Sequence, residues 1–379
     1  MPALTAHNGH EERRRLIACV ERGEVAEPRF EPTRRRIPPE TWRWLEEARR
    51  LARASVAADL YLARLDELEL DLMMIEALGD ARRVRPLAAR RFGTGASTVE
   101  AADGTVRIAN VAAHLLETVQ PTYEPRVLPA SGLSGEPSLA ELIRRVAGRA
   151  GLEVEVRVEP RLVASAATGE RVVFIADRWF GAREALRLTV HEVLGHLVAA
   201  ANGRAQPLRI LEIGTAGSFG DQEGVSLWLE EQASVMDGLR LSTLAARVVA
   251  TDLMHAGAHF GDTTRDLVRL YGFSAADAVA IAERAWRGGG VARDVGYLRG
   301  WLRVRSALES GQATLDELRS GRVGLADLST IRELDDLGLW RAPAYRPSLE
   351  YSLAATEGGT SLLTSPPSVA ASFTRFELT

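Results

Sequence analysis

The sequence predicts an α+β, mainly helical fold. A helical N-terminal portion precedes a domain in which a small β-sheet leads into a buried metal-binding helix. Three observations carry this. Apolar residues recur at helical spacing through much of 38–119. Strand-like patterns are confined to 154–175, where Val154, Val156 and Val158 alternate with Glu155 and Arg157. Directly after them, Leu188-Thr189-Val190-His191-Glu192-Val193-Leu194-Gly195-His196-Leu197-Val198 is an apolar run without Pro that sets a His-Glu pair ahead of a second His.

Residues 1–37 carry two Arg triplets, 13–15 and 34–36, interspersed with Glu11, Glu12, Glu21 and Glu24. Mixed charge of this kind predicts a solvated, partly flexible segment rather than a nucleic-acid arm. A helical portion spans 38–130. Pro38-Pro39 opens it, Trp42, Leu45, Ala48, Leu51, Ala52 and Val56 form one helical stripe, Leu60 to Ile75 a second, and Gly79-Asp80 stops the hairpin. Phe92-Gly93-Thr94-Gly95 is a loop without the Lys of a phosphate loop. Ala101 to Val119 reads as another helix, and Pro121, Pro125 and Pro129 mark a connection.

The second domain is expected over 131–345. Leu139 to Ala150 is helical and ends at Gly151. After the strand at 154–158, Ala164–Ala167 and Arg171–Ile175 flank a hairpin turn at Thr168-Gly169-Glu170. Asp177 to Gly181 leads into the His191 helix, with Arg183, Glu184 and Arg187 on its wet side. A sheet edge placed there can hold an extended peptide by main-chain pairing. Leucines from Leu315 to Leu339 give short closing helices. Residues 346–379 form a tail, and the Gly, Ser, Thr and Pro from Glu357 onward predict poor order.

Composition limits the function. With 379 residues, 46% hydrophobic and 26% charged, the chain has ample core for a globular protein. A net charge of −4 argues against a nucleic-acid partner, although all 47 basic residues are Arg. The single cysteine, Cys19, excludes an internal disulfide and a Cys-rich zinc knuckle, so a metal must be held by His and carboxylates. Met1 to Arg15 is polar, without the apolar region of a secretory signal, and no apolar run reaches membrane-spanning length. A cytoplasmic enzyme without a membrane partner is expected.

The His191–His196 run carries the chemistry. Zinc peptidases commonly use H-E-x-x-H, with histidines at i and i+4 on one helical face. Here they stand at i and i+5, roughly 140° apart on an ideal helix at about 100° per residue. They converge only if the helix takes up an extra residue as a π-bulge, and Gly195 lowers the cost of one. The other reading is two hydrogen-bonded core histidines. Glu192, otherwise a costly buried charge, favours metal, with Glu192 as the base that activates the attacking water. Zinc that keeps an open position takes three protein ligands. From the residues alone, Glu223 in Asp221-Gln222-Glu223-Gly224-Val225-Ser226, after Gly214, Gly217 and Gly220, competes for the third place with Glu230 and Glu231. Glu230 could instead orient a ligand His. His255 and His259 form an H-x-x-x-H pair on an expected helix, without a neighbouring Glu, and read as surface or cleft-rim residues.

These motifs resemble the bacterial QEGLA-motif (flavohemoglobin expression-modulating) proteins, related to the microtubule-associated tyrosine carboxypeptidases, zincins with an H-E-x-x-x-H motif. Asn202-Gly203-Arg204-Ala205-Gln206-Pro207-Leu208-Arg209 follows the histidines as in that family, and Gln222-Glu223-Gly224-Val225-Ser226 stands where QEGLA stands. Arg287-Gly288-Gly289-Gly290 with Asp294, Tyr297, Leu298, Arg299 and Gly300 looks like a third signature, and Leu62 to Gly79 like its helical leader. The resemblance covers roughly 40–345.

It implies a zincin-like metallopeptidase domain that binds Zn2+ through His191, His196 and Glu223. It also implies a carboxypeptidase that releases a residue, aromatic by analogy, from a peptide or protein C-terminus. For such a reaction Arg287 and Arg293 are the candidates to bind the terminal carboxylate, and Tyr297 to stabilise the oxyanion. Three departures stand out. Leu194-Gly195 replaces the family's Gly-Thr, so that HEVLGH also looks like the HELLGH of dipeptidyl peptidase III, though the rest of the chain does not. QEGVS replaces QEGLA, and Ala292 stands where Thr is common. The alternatives are another zinc exopeptidase or amidase, and a non-catalytic zinc-stabilised regulatory protein, which would have no need of Glu192.

Overall fold

A computed structural model describes residues 6–33, 35–101, 104–133 and 136–353. The chain divides into two compact units: Met1–Pro121 with Gly238–Arg303, and Thr122–Asp237 with Val304–Thr379.

The first unit opens with helices α1 (Gly9–Glu21), α2 (Pro39–Ala52), α3 (Ala58–Ala77) and α4 (Ala81–Phe92). Pro39 occupies the first turn of α2, and Asp80 caps α4 by accepting from the Arg82 and Arg83 amides. The hairpin of α2 and α3 is as expected. The N-terminal segment is not: α1 buries Leu16 completely among Phe260, Val279 and Ala282, and Arg13 grips Glu283 with two hydrogen bonds of 2.6 and 2.7 Å. Its apolar residues are bunched in one run, Leu16 to Val20, behind an Arg triplet, so no helical spacing is visible. The helix expected over Ala101–Val119 is also shorter. Strands β1 (Thr98–Ala101) and β2 (Gly104–Arg107) form an antiparallel hairpin, and only α5 (Ile108–Thr118) is helical.

The second unit follows with β3 (Arg126–Leu128), α6 (Leu139–Arg149), β4 (Glu155–Glu159), β5 (Ala166–Thr168), β6 (Val172–Ala176) and β7 (Phe180–Gly181). Ser138 caps α6, and Gly151 ends it at φ +74°, a conformation that favours glycine. The central sheet has the order β4-β6-β5, with β4 parallel and β5 antiparallel to β6, so β5 is an edge strand. Next come α7 (Ala182–Thr189), a π-helix (Val190–Leu197), α8 (Val198–Ala205), α9 (Ile210–Ile213) and α10 (Ser218–Gln232). The π-helix packs against α10, β5 and α6, and Leu194, Leu197, Ile143 and Ile175 there are fully buried.

The chain then re-enters the first unit with α11 (Gly238–His255), α12 (Phe260–Tyr271) and α13 (Ala275–Trp286), and the boundary between units falls within α14 (Val295–Glu309). Short helices α15 (Leu315–Arg319), α16 (Leu328–Asp336) and α17 (Leu349–Leu353) close the second unit. Thr314 and Glu317 form a reciprocal capping box at α15. Most of the expected tail, 354–379, lies outside the described residues. Among the described residues no helix is long and apolar enough to cross a membrane.

Candidate active site

The i,i+5 histidine spacing is met by the backbone. From Val190 to Leu197 the helix is π-helical, and at its end the Val198 amide donates to the Val193 carbonyl, five residues back. The wider turn brings His191 and His196 to one face. Their Nε2 atoms lie 3.2 Å apart, and their rings meet edge-on at 4.9 Å between centroids.

Glu223, in the second turn of α10, completes the group. Its Oε2 lies 3.2 Å from His191 Nε2 and 3.6 Å from His196 Nε2. Three ligands at about 2.0–2.1 Å from a tetrahedral zinc are separated by roughly 3.3–3.4 Å, so these spacings match one face of the tetrahedron. Glu223 Oε2 is buried, yet it has no hydrogen bond of acceptable geometry. A buried carboxylate oxygen aimed at two imidazole nitrogens without bonding either fits a cation cradle better than a hydrogen-bonded core. The donor set, two nitrogens and one carboxylate, is one that zinc accepts, and these three residues form the described group able to hold a metal ion.

Glu230 has the orienting position instead. It is completely buried and accepts from His191 Nδ1 at 2.7 Å, which turns Nε2 toward Glu223 and His196. Arg187, expected on a wet face, is only 13% exposed and sits 3.9 Å from Glu230, where its charge offsets that of the buried carboxylate. Glu231 pairs with Arg305 at 3.3 Å. Glu192 is buried beside His191, with its carboxylate hydrogen-bonded to Thr168 at 2.8 Å.

Burial alone would push the His191 pKa down, but the close approach of Glu223 and the hydrogen bond and charge of Glu230 raise it to about 9. Burial opposes the charge on Glu223 as well, but His196 and His191 hold its pKa well below the usual carboxylate range. His191 therefore carries a proton at neutral pH when no metal is bound, and a metal must displace it. We expect the apparent metal affinity to rise by about tenfold per pH unit between pH 7 and about 9, then level off. The opposite sign holds for the metal-free protein. The protonated pairing stabilises it fully below about pH 6.5, and this stability is lost as pH climbs through about 9. Chelator competition and thermal unfolding across that window test both signs.

Gly195 is required for a reason its spacing did not suggest. A Cβ there would lie 2.0 Å from Ser226 Oγ and 2.9 Å from Ser226 Cβ, so the residue lets the π-helix touch α10. Gly195→Ala should force the two helices apart, destabilise the fold by about 1–3 kcal/mol and spread the ligand triangle. Thermal unfolding and chelator competition would show it; wild-type values of both would refute this.

A model of the microtubule-associated tyrosine carboxypeptidase family matches residues 20–360. The chain belongs to that family. No curated protein of described function matches the sequence.

In this tyrosine carboxypeptidase family member the Asn202–Gln206 motif works as scaffold. Asn202 donates to the carbonyls of Arg319 and Tyr345 and accepts from the Tyr345 amide, at 2.8–3.0 Å. Gln206 does the same with Ser320 and Arg341, and Gln222, next to Glu223, donates to Leu318 and Val323. Buried amides that use their donors in this way rigidify what they join: here the helices α8 and α10 to the C-terminal segment. Arg204 holds the β5–β6 turn through the Glu170 carbonyl at 2.7 Å.

Arg287, Arg293 and Tyr297 belong to the first unit and are not members of the histidine group. There Asp294 organises the third signature: Arg284 grips it with two hydrogen bonds, and Arg247 Nε lies 3.4 Å away. Burial opposes ionisation of Asp294, but Arg284 and Arg247 keep its pKa far below normal. The Arg247 and Arg284 guanidinium groups lie 5.6 and 5.9 Å from the Tyr297 ring centre. Burial, with repulsion from Arg284 and Arg293, lowers the Arg287 pKa to about 10. His255 and His259 do not share a helix: one ends α11 and the other precedes α12.

Proposed function

We propose that this protein is a zincin-like, zinc-dependent carboxypeptidase that removes a C-terminal residue from a peptide or protein. The observation that carries the reading is the His191–His196–Glu223 triangle, with Glu192 adjacent in the chain, outside that group and hydrogen-bonded to Thr168. A structural zinc site is closed and has no use for such a carboxylate. Zinc held by these three residues would supply Lewis acidity toward a water and the scissile carbonyl.

The protein's own side chains do the rest. Glu192 takes the proton from the attacking water and returns it to the leaving amine. Glu230 keeps His191 in one tautomer, and the Asn202, Gln206 and Gln222 amides hold the surrounding helices. Arg287 and Arg293 are proposed to bind the substrate carboxylate and Tyr297 the oxyanion, supported by their register in the family motif and by the concentration of guanidinium groups around Asp294. The preference for an aromatic residue follows from the family alone. The test is a mixed peptide library analysed by mass spectrometry with and without a chelator. Chelator-sensitive loss of single C-terminal residues, retained with N-blocked and abolished with C-blocked peptides, is the expected result. Release of N-terminal dipeptides would make it a different exopeptidase, and no cleavage would remove the enzyme reading.

A further inference from the structure

Thr168 is the last residue of the edge strand β5, and its side chain reaches Glu192. Its Oγ1 lies 2.8 Å from Glu192 Oε2 and 3.2 Å from the backbone carbonyl of the same residue. A hydroxyl has one proton to donate, and the nearer, charged carboxylate is the stronger acceptor. Glu192 is 6% exposed, so water cannot readily take over this bond.

Both ends of the contact are anchored. The register of β5 on β6 pairs Thr168 with Val173, and the turn beyond is closed by the Gly169 amide on the Val172 carbonyl at 2.7 Å. Arg204 then ties that turn to α8 through the Glu170 carbonyl, and α8 continues the π-helix that carries Glu192. The strand end and the Glu192 backbone are thus fixed to one continuous helical rod, and the hydroxyl fixes the carboxylate between them.

We propose that Thr168 is a positioning residue for the proton-transfer step: its hydroxyl holds the Glu192 carboxylate in the one rotamer from which it serves the attacking water. This rests on the carboxypeptidase reading above. A free glutamate side chain samples several rotamers, and a displacement of about 1 Å at a reacting group can cost about a hundredfold in rate. The Thr168 side chain bonds Glu192, the group that moves the proton, so its effect belongs in kcat rather than KM.

Two variants give opposite forecasts for a hydroxyl role and a packing role. Thr168→Val keeps shape and strand propensity and removes the hydroxyl; Thr168→Ser keeps the hydroxyl and removes the methyl. The expected result is a kcat about ten- to hundredfold lower for Thr168→Val, with KM within about threefold and metal affinity and Tm unchanged. Thr168→Ser should stay within about threefold of wild type. If Thr168→Val has a lowered Tm, Thr168→Ala supplies the hydroxyl-free comparison. Wild-type kcat in the hydroxyl-free variant, or an impaired Ser variant beside an intact Val variant, would overturn the proposal. If the wild-type enzyme cleaves no peptide, the carboxypeptidase reading fails separately. Crystal structures of wild type and Thr168→Val then decide this point: a shifted Glu192 carboxylate supports the inference, and an unmoved one ends it.

Discussion

Glu192→Gln is expected to keep its full complement of metal and to lower kcat by about 10²–10⁴, the span general acid–base catalysis contributes. The two halves of this result have separate causes. Metal retention follows because the three converging atoms belong to His191, His196 and Glu223, and none to Glu192. Loss of turnover follows because an amide cannot accept the proton of the attacking water. Gln is close to isosteric, and its side-chain oxygen can still accept from Thr168, so the fold should not register the change. Metal content by atomic emission, Tm and kcat measured on one preparation would separate the effects. Loss of metal together with activity would move Glu192 among the ligands, and a wild-type rate would remove it from the mechanism.

Much of this site was legible because its chemistry leaves a local trace. An i,i+5 pair of histidines in a Pro-free apolar run demands a π-distortion if the two are to meet, and the helix from Val190 to Leu197 has one. Strand β4 was readable from its period-2 alternation, β6 from an apolar run beyond a turn, and the closing helices from leucine patterns. Features that depend on distant partners were not. Nothing local to Thr168 marks it as the partner of Glu192, 24 residues on. Arg187 reads as a solvated charge until Glu230, from another helix, is placed behind it. Gly195 reads as a flexibility residue until Ser226 is found 2.0 Å from where its Cβ would stand. The helix at Gly9–Glu21 was hidden because three of its thirteen residues are arginines in a row, and the burial of Leu16 is decided by Phe260 and Val279 far along the chain. Residues 238–303 cluster with the N-terminal helices rather than with their sequence neighbours, which no local pattern encodes.

The choice between Glu223 and Glu230 shows where sequence spacing ends and geometry begins. Seven residues apart, they stand near one face of α10, and either could be the third ligand by spacing. Their partners differ: Glu223 Oε2 approaches the Nε2 atoms of both histidines, whereas Glu230 bonds Nδ1, on the far side of the His191 ring. Replacing each with Gln should therefore give effects of different size and kind. Glu223→Gln removes an anionic donor from the triangle and should weaken zinc binding by more than about a hundredfold. Glu230→Gln should weaken it by about ten- to hundredfold, the range for a group that orients a ligand without touching the metal. The pH arm separates them again. Both carboxylates hold up the pKa of His191, so either change lowers it and eases the loss of the proton that zinc must displace. The steep rise of affinity between pH 7 and about 9 should flatten in both variants, while only Glu223→Gln also loses the donor. Chelator competition at several pH values reads size and slope together. Equal losses in the two variants would remove the distinction, and a larger loss for Glu230→Gln would exchange their roles and place the metal on the Nδ1 side of His191.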